Sequence, residues 1–306
     1  MKKLNKETVE KIVELKEESG MSSRQIAKLL GLGKSTVNDV YNRNKDHLHN
    51  NKLKITLIDI ESMPSVVAAF GRFKQNISQD SVLREGGWIV SYAYKVLGED
   101  EIRGNVLSAE EALRADDSNL CMELWDIIES SDVLIAHNLV SFDLPMIKTR
   151  VIVNGLPPIR KVKTVDTLLL AKEFRFNSNK LDSLCRQLDI GEKIRHAGMQ
   201  LWVQCMEGNG EALTEMYEYN RKDVEILEEL YNHVKPYSTR HPNLAINFGD
   251  TIRCNVCTSP NVQPTGNTVS TNLSVFEEYV CEECQARFKD RQSTTTKSQR
   301  LNFLSN

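Results

Sequence analysis

Ile55-Thr56-Leu57-Ile58-Asp59-Ile60-Glu61 is an apolar, largely β-branched run closed by two carboxylates. A run of this kind predicts a buried strand. Side chains alternate along a strand, so Asp59 and Glu61 project to one side, about 7 Å apart. Desolvating paired negative charge at the end of a buried strand costs several kcal/mol unless something compensates it. Divalent cations are the usual remedy, so the stretch raises the question of whether the rest of the chain supplies more carboxylates.

Two further stretches do. His137-Asn138-Leu139-Val140-Ser141-Phe142-Asp143-Leu144-Pro145 follows a short buried strand expected over residues 132–136. Proline is tolerated in a helix only in the first turn, so this helix is expected to begin near Ser141, a good N-cap. Asp143 then sits at a helix N-terminus just beyond a strand end, placed to reach a metal held by the first strand. Residues 211–231 are strongly helical, with Leu213, Met216, Val224, Leu227 and Leu230 inward. Tyr219 and Asp223 are four apart and share one helical face.

Asp59-Ile60-Glu61, then Asn138-x-x-x-Phe142-Asp143, then Tyr219-x-x-x-Asp223, resembles the three-motif signature of the DEDD exonuclease superfamily, tyrosine subclass. That group includes the proofreading domains of DNA polymerases and the ribonuclease D type. The likeness covers residues 53–235. It implies a two-metal 3′–5′ exonuclease that hydrolyses nucleic acid and releases nucleoside 5′-monophosphates. In that scheme Asp59 bridges two Mg²⁺ or Mn²⁺ ions, Glu61 and Asp223 complete one site, and Asp143 holds the second, mainly through water. Tyr219 orients or helps to deprotonate the attacking water, and Asn138 and Phe142 contact the terminal nucleotide. Lys222, beside Asp223, is either a phosphate contact or a plain surface lysine. The chemistry agrees: an anionic phosphodiester resists hydroxide, and two hard cations both neutralise charge and generate a nucleophile at neutral pH.

Around these motifs the expected order is strand, strand, strand, helix, strand, then helices. Strands are expected over residues 88–96 and 102–107, and one amphipathic helix over 110–128. This predicts an α/β body with a ribonuclease-H-like mixed sheet flanked by helices. Residues 62–87 are irregular, with Phe70, Arg72, Phe73 and Lys74 interleaved, a pattern that serves either base stacking or ordinary loop packing. His137 reads as structural, and Asp166 as either a support for the site or a helix N-cap.

The N-terminal stretch is basic. Residues 1–54 carry 12 Lys/Arg against 7 Asp/Glu, residues 55–237 carry 20 against 29, and residues 238–306 carry 7 against 6. Residues 7–18 have helical spacing; Ser22 and Gln25 offer a capping box, Gly31 a turn, and a further helix starts at Lys34. The pattern resembles a resolvase- or transposase-type helix-turn-helix, with Ala27 at the helix crossing, Gly31 in the turn and Val37 in the core. On that reading Lys34, Ser35, Thr36 and Asn38 face DNA, and Arg24, Lys28 and Arg43 suit phosphates. A three-helix protein-docking module is the plainer alternative. Gly33-Lys34-Ser35 is not a phosphate-binding loop, because position 28 is lysine and no strand precedes it.

Of the seven cysteines, Cys254-x-x-Cys257 and Cys281-x-x-Cys284 resemble the two knuckles of a zinc ribbon holding one structural Zn²⁺. The remaining three, Cys121, Cys185 and Cys205, stand singly, which argues for a reduced protein without a disulfide framework. The expected layout is a helix-turn-helix module (1–43), a linker (44–52), the exonuclease domain (53–237), a second linker (238–252), the ribbon (253–290) and a disordered tail (291–306). No apolar run approaches the roughly 18–20 residues of a membrane span, so a soluble protein of the cell interior, without membrane partners, is expected. Its expected partners are nucleic acid, DNA rather than RNA, and a replication, repair or recombination protein. Two rival readings remain: a structure-selective endonuclease on the same fold, and a non-catalytic DNA-binding regulator.

Overall fold

A computed structural model describes residues 6–17, 19, 21–49, 53–71, 73–74, 76–191, 198–248 and 252–302. The chain divides into two compact units, Met1–Leu53 and Lys54–Asn306.

The first unit holds three helices, α1 (Lys6–Glu17), α2 (Ser23–Leu30) and α3 (Lys34–His49). Ser22 caps α2 through a capping box with Gln25, and Gly31 ends it at φ 65°, a left-handed conformation that costs glycine nothing. Ile12, Ile26, Ala27 and Val37 form the buried core. α3 runs six residues beyond the boundary expected at residue 43, since no glycine or proline interrupts 44–49.

The second unit opens with β1 (Ile55–Ser62), followed by the short strands β2 (Val66–Val67) and β3 (Val82–Arg84). Next come β4 (Ile89–Val96), β5 (Ile102–Val106), α4 (Ala109–Arg114), α5 (Ser118–Glu129), β6 (Val133–Ala136), α6 (Asp143–Val153) and β7 (Lys163–Asp166). Then follow α7 (Thr167–Ala171), α8 (Leu181–Leu188), α9 (Met199–Met206) and α10 (Gly210–Val234). The main sheet has the order β5-β4-β1-β6-β7. β1 is central, antiparallel to β4 and parallel to β6, and β6 is parallel to β7. A central strand is covered on both faces, which is why its apolar residues run continuously rather than alternate. Ile58 and Ile60 belong to a core shared with Tyr92, Leu124, Leu134 and Met216. α10 lies across β5, β4 and β1, which carries Asp223 over the strand that holds Asp59.

Two expectations on local structure need correction. The single helix expected over 110–128 is two helices, broken at Ala115 with φ 55°. The break serves Asp117, which is fully buried and accepts from Arg150 Nε at 2.7 Å, Asn154 Nδ2 at 3.0 Å and the Ile89 N–H at 2.9 Å. Asp117 thereby ties α6 and β4 to the start of α5. Likewise α6 begins at Asp143, with Phe142 rather than Ser141 at the N-cap position. Asn138, at φ 75°, turns the chain first and accepts both the Ser141 and Phe142 N–H groups.

After α10 the chain stays packed instead of forming a free linker. The Glu173 carboxylate accepts the N–H groups of Thr239 and Arg240, and His241 and Leu244 are buried. The last elements are an antiparallel sheet of β8 (Val262–Ser270), β9 (Val275–Cys281) and β10 (Arg287–Ser293), then α11 (Lys297–Arg300). The stretch expected to be disordered from Arg291 is therefore ordered through its described part. The Thr294 N–H donates to Val275 O at 2.8 Å, and Thr296 caps α11 with Gln299.

Candidate active site

Asp59 and Glu61 alternate out of β1 on one side, half-buried, and α10 brings Asp223 down onto them. Each of the three offers a carboxylate oxygen, and these oxygens lie within 4.8 Å of one another. Asn220, one turn before Asp223, holds the arrangement. Its Nδ2 donates to Asp59 Oδ2, and its Oδ1 accepts from Ser91 Oγ at 3.0 Å. Asn220 was not singled out from the sequence. Its signal was its place three residues before Asp223, on the same helical face.

Asp143 approaches from the other side. β1 pairs with β6 only as far as Leu57, which leaves the Ile60 N–H to donate to the Asp143 carboxylate. Asp143 is 1 % exposed, and its Oδ1 is buried without a hydrogen-bond partner. Burial pushes its pKa up to about 7, against the opposing effect of backbone N–H donors and with a further push from Asp166. A cation at the site would favour its ionised form. The three converging carboxylates form a hard-oxygen donor set that fits Mg²⁺ or Mn²⁺, whereas Asp143 neither joins their 4.8 Å group nor lines the cavity they share.

A cavity of about 600 Å³ opens on this cluster and is lined by Asp59, Glu61, Asp223, Asn138 and Phe142. His137 and the stretch 178–182 also line it, a wall that the sequence reading missed. His137 fixes that wall: its Nε2–H donates to Asn179 O at 2.9 Å, and its Nδ1 meets the Thr167 hydroxyl at 3.0 Å. Asp166 fixes the opposite loop. It caps α7 and also accepts the N–H groups of Asn138 at 3.0 Å and Val140 at 3.1 Å. Tyr219, 8 % exposed, packs in the main core and does not line the cavity. Lys222 pairs with Glu225 at 2.9 Å and does not line it either.

A mixed sheet with helices on its faces and an acidic cluster at the centre defines an α/β domain of the ribonuclease-H-like class. Residues 90–235 match the family model of the RNase_H superfamily, and the mixed five-strand sheet flanked by helices is consistent with an RNase H-like fold. None of the curated proteins matches it. Among solved structures it is similar to part of the family B DNA polymerase from the hyperthermophilic archaeon Pyrobaculum calidifontis. The identity is 15%, the TM-score 0.45, and the likeness covers 60% of this chain and 25% of that one. The chain thus spans about a quarter of that polymerase's length. No described helix is long and apolar enough to cross a membrane.

The second acid-and-thiol group among the described residues is Cys254, Cys257, Cys281 and Cys284, whose sulfurs also lie within 4.8 Å of one another. Cys254 Sγ is 3.5 Å from Cys284 Sγ, and Cys257 Sγ is 3.6 Å from Cys281 Sγ. A disulfide requires about 2.05 Å. A tetrahedral Zn²⁺ with 2.3 Å bonds sets its sulfurs about 3.8 Å apart, so the thiols fit that ion. Hydrogen bonding among them pushes Cys254 down and Cys257 up. Thiols so crowded do not ionise together without a cation.

The segment that leads from α10 toward the cysteines packs on the end of that helix through His241, whose Nε2 accepts from the Tyr231 hydroxyl at 3.0 Å while Nδ1–H donates to Pro242 O. Burial lowers the His241 pKa to about 4, so the ring is neutral in the folded protein. A lowered histidine contributes stability that is present above its unfolded pKa of about 6.5 and is lost as pH falls through the folded value. The expected loss between those limits is about 3 kcal/mol. Unfolding midpoints followed from pH 7 to pH 4 should show this slope, and His241→Gln, which does not ionise, should flatten it.

In the first unit Arg24, Lys28, Lys34 and Ser35 are exposed, and Thr36 and Asn38 are half-buried on the first turns of α3. The side chain of Arg43 lies outside the described residues.

Proposed function

We infer that the chain is a divalent-metal-dependent nuclease that shortens nucleic acid, DNA in preference to RNA, from the 3′ end. The observation that carries the reading is the convergence of Asp59, Glu61 and Asp223 within 4.8 Å on an open cavity; Asp143 is tied to the same strand through the Ile60 N–H. Asp59, Glu61 and Asp223 would hold one cation, and Asp59 with Asp143 a second. When bound, these ions supply charge neutralisation and an activated water at neutral pH. The chain's own side chains do the rest. Asn220 keeps Asp59 aimed, Asp166 and His137 hold the two cavity walls, and Asn138 and Phe142 seat the terminal nucleotide. Tyr219, one turn before Asp223, is the residue to which the family resemblance gives the water-orienting role, although its ring packs in the main core and does not line the cavity.

The exposed basic residues of α2 and α3 are proposed as a helix-turn-helix DNA contact, and the cysteine sheet as a zinc ribbon. Both would keep the nuclease on its polymer; the basic first unit suits phosphates better than an acidic protein surface suits them.

The test uses the full chain with Mg²⁺ or Mn²⁺ and 5′-labelled single- and double-stranded DNA and RNA. A ladder shortening from the 3′ end, absent in Asp59→Ala, is the expected result. Internal cuts would replace this reading with an endonuclease. Absence of any cleavage beyond that of Asp59→Ala would leave a binding protein.

A further inference from the structure

The segment between β1 and β4 folds back as the β2–β3 hairpin, and it gathers several exposed apolar side chains within 14 residues. Phe70 is 113% exposed, Phe73 78%, Leu83 70% and Ile77 55%. A soluble body rarely leaves two phenylalanines and two aliphatics open on one short element unless they meet something.

The root of the hairpin is fixed while its tip projects. Val66 pairs with Arg84, and the Arg84 guanidinium donates to Met206 O at 3.1 Å and to Ala112 O at 2.9 Å. The same group lies over the Trp88 ring at 5.5 Å. Gly86 packs so close to the backbone of Met63, Pro64 and Ser65 that a Cβ there would collide with it. Val66 follows Glu61 by five residues, so the root lies within about 17 Å of the carboxylates.

Charge selects the occupant. Besides the Arg84 held at the root, residues 66–84 carry Arg72 and Lys74 against Asp80, on a body where residues 55–237 hold 29 acids against 20 bases. At the tip Lys74 adopts φ 47°, an uncommon conformation for a side-chain-bearing residue, and its Nζ lies over the Phe73 ring at 5.5 Å. Exposed rings interleaved in the sequence with Arg72 and Lys74 suit a polymer that alternates flat bases with phosphates, whereas an apolar protein face would gain nothing from those cations.

We propose that this hairpin binds single-stranded nucleic acid, stacking Phe70 and Phe73 on bases of the strand whose end enters the carboxylate cavity. The location of that end rests on the nuclease reading above; the stacking does not. Binding is measured on the full chain carrying Asp223→Asn, so that nothing is cut, by fluorescence anisotropy of labelled oligothymidylate 20-mers and trimers. Adding Phe70→Ala and Phe73→Ala should weaken the 20-mer about tenfold or more, leaving the trimer and the unfolding midpoint unchanged. A 20-mer affinity within about twofold of the parent, or a parent that does not bind the 20-mer, would overturn the proposal. The two readings fail separately. A chain that binds through the hairpin but hydrolyses no substrate loses only the nuclease assignment, and a nuclease indifferent to Phe70 and Phe73 loses only the hairpin.

Discussion

Asp223→Asn should lower hydrolysis by about 10³-fold or more, which corresponds to about 4 kcal/mol of transition-state stabilisation. The same substitution should raise the unfolding midpoint of the metal-free protein. The two signs arise from one cause. Asp223 is 2 % exposed and shares a space of 4.8 Å with the oxygens of Asp59 and Glu61, so without a cation the three repel one another in poor solvent. Asparagine keeps the shape and removes one charge, which relieves the repulsion and removes a metal ligand together. It is a cleaner probe than Asp59→Ala, which also strips Asn220 Nδ2 of its acceptor. Activity on a labelled oligonucleotide and melting in chelator, with and without added Mn²⁺, read both effects. A merely structural Asp223 would show the opposite stability change, with activity falling only as far as folding does.

Cys281→Ser should release the tightly held zinc, of which metal analysis of the parent should find about one per chain, and should melt the C-terminal sheet. The buried residues there are Cys254, Val256, Cys281 and Ala286, two of them thiols, so apolar burial alone does not hold the sheet. Structural zinc contributes on the order of 10 kcal/mol to such small modules. Limited proteolysis should then cut within residues 252–302 while β1 and α10 stay protected. A zinc-free parent, or a variant with an unaltered digestion pattern, would remove the metal from the account of this sheet.

The parts of the fold that were legible were those with a local cause. The run from Ile55 announces a doubly covered strand, and Pro145 bounds the helix start to within two residues of its position at Asp143. Asp59, Glu61 and Asp223 converge because strand and helix periodicities aim them. What escaped was set by partners far along the chain. The break at Ala115 answers to Asp117 and its ties to Arg150 and Ile89, which no window around residue 115 contains. The cavity wall at 178–182 depends on His137, some 40 residues earlier, donating to Asn179 O. Lys222, which the sequence reads as either a phosphate contact or a surface lysine, pairs with Glu225, as adjacent helical residues face different ways.

α10 contributes Asn220 and Asp223 from the late part of the polypeptide to a strand made near residue 60. A growing chain on the ribosome therefore displays Asp59 and Glu61 long before their third companion is synthesised. On the nuclease reading proposed above, a nascent chain completes its three-carboxylate cluster only once α10 has emerged and settled across the sheet.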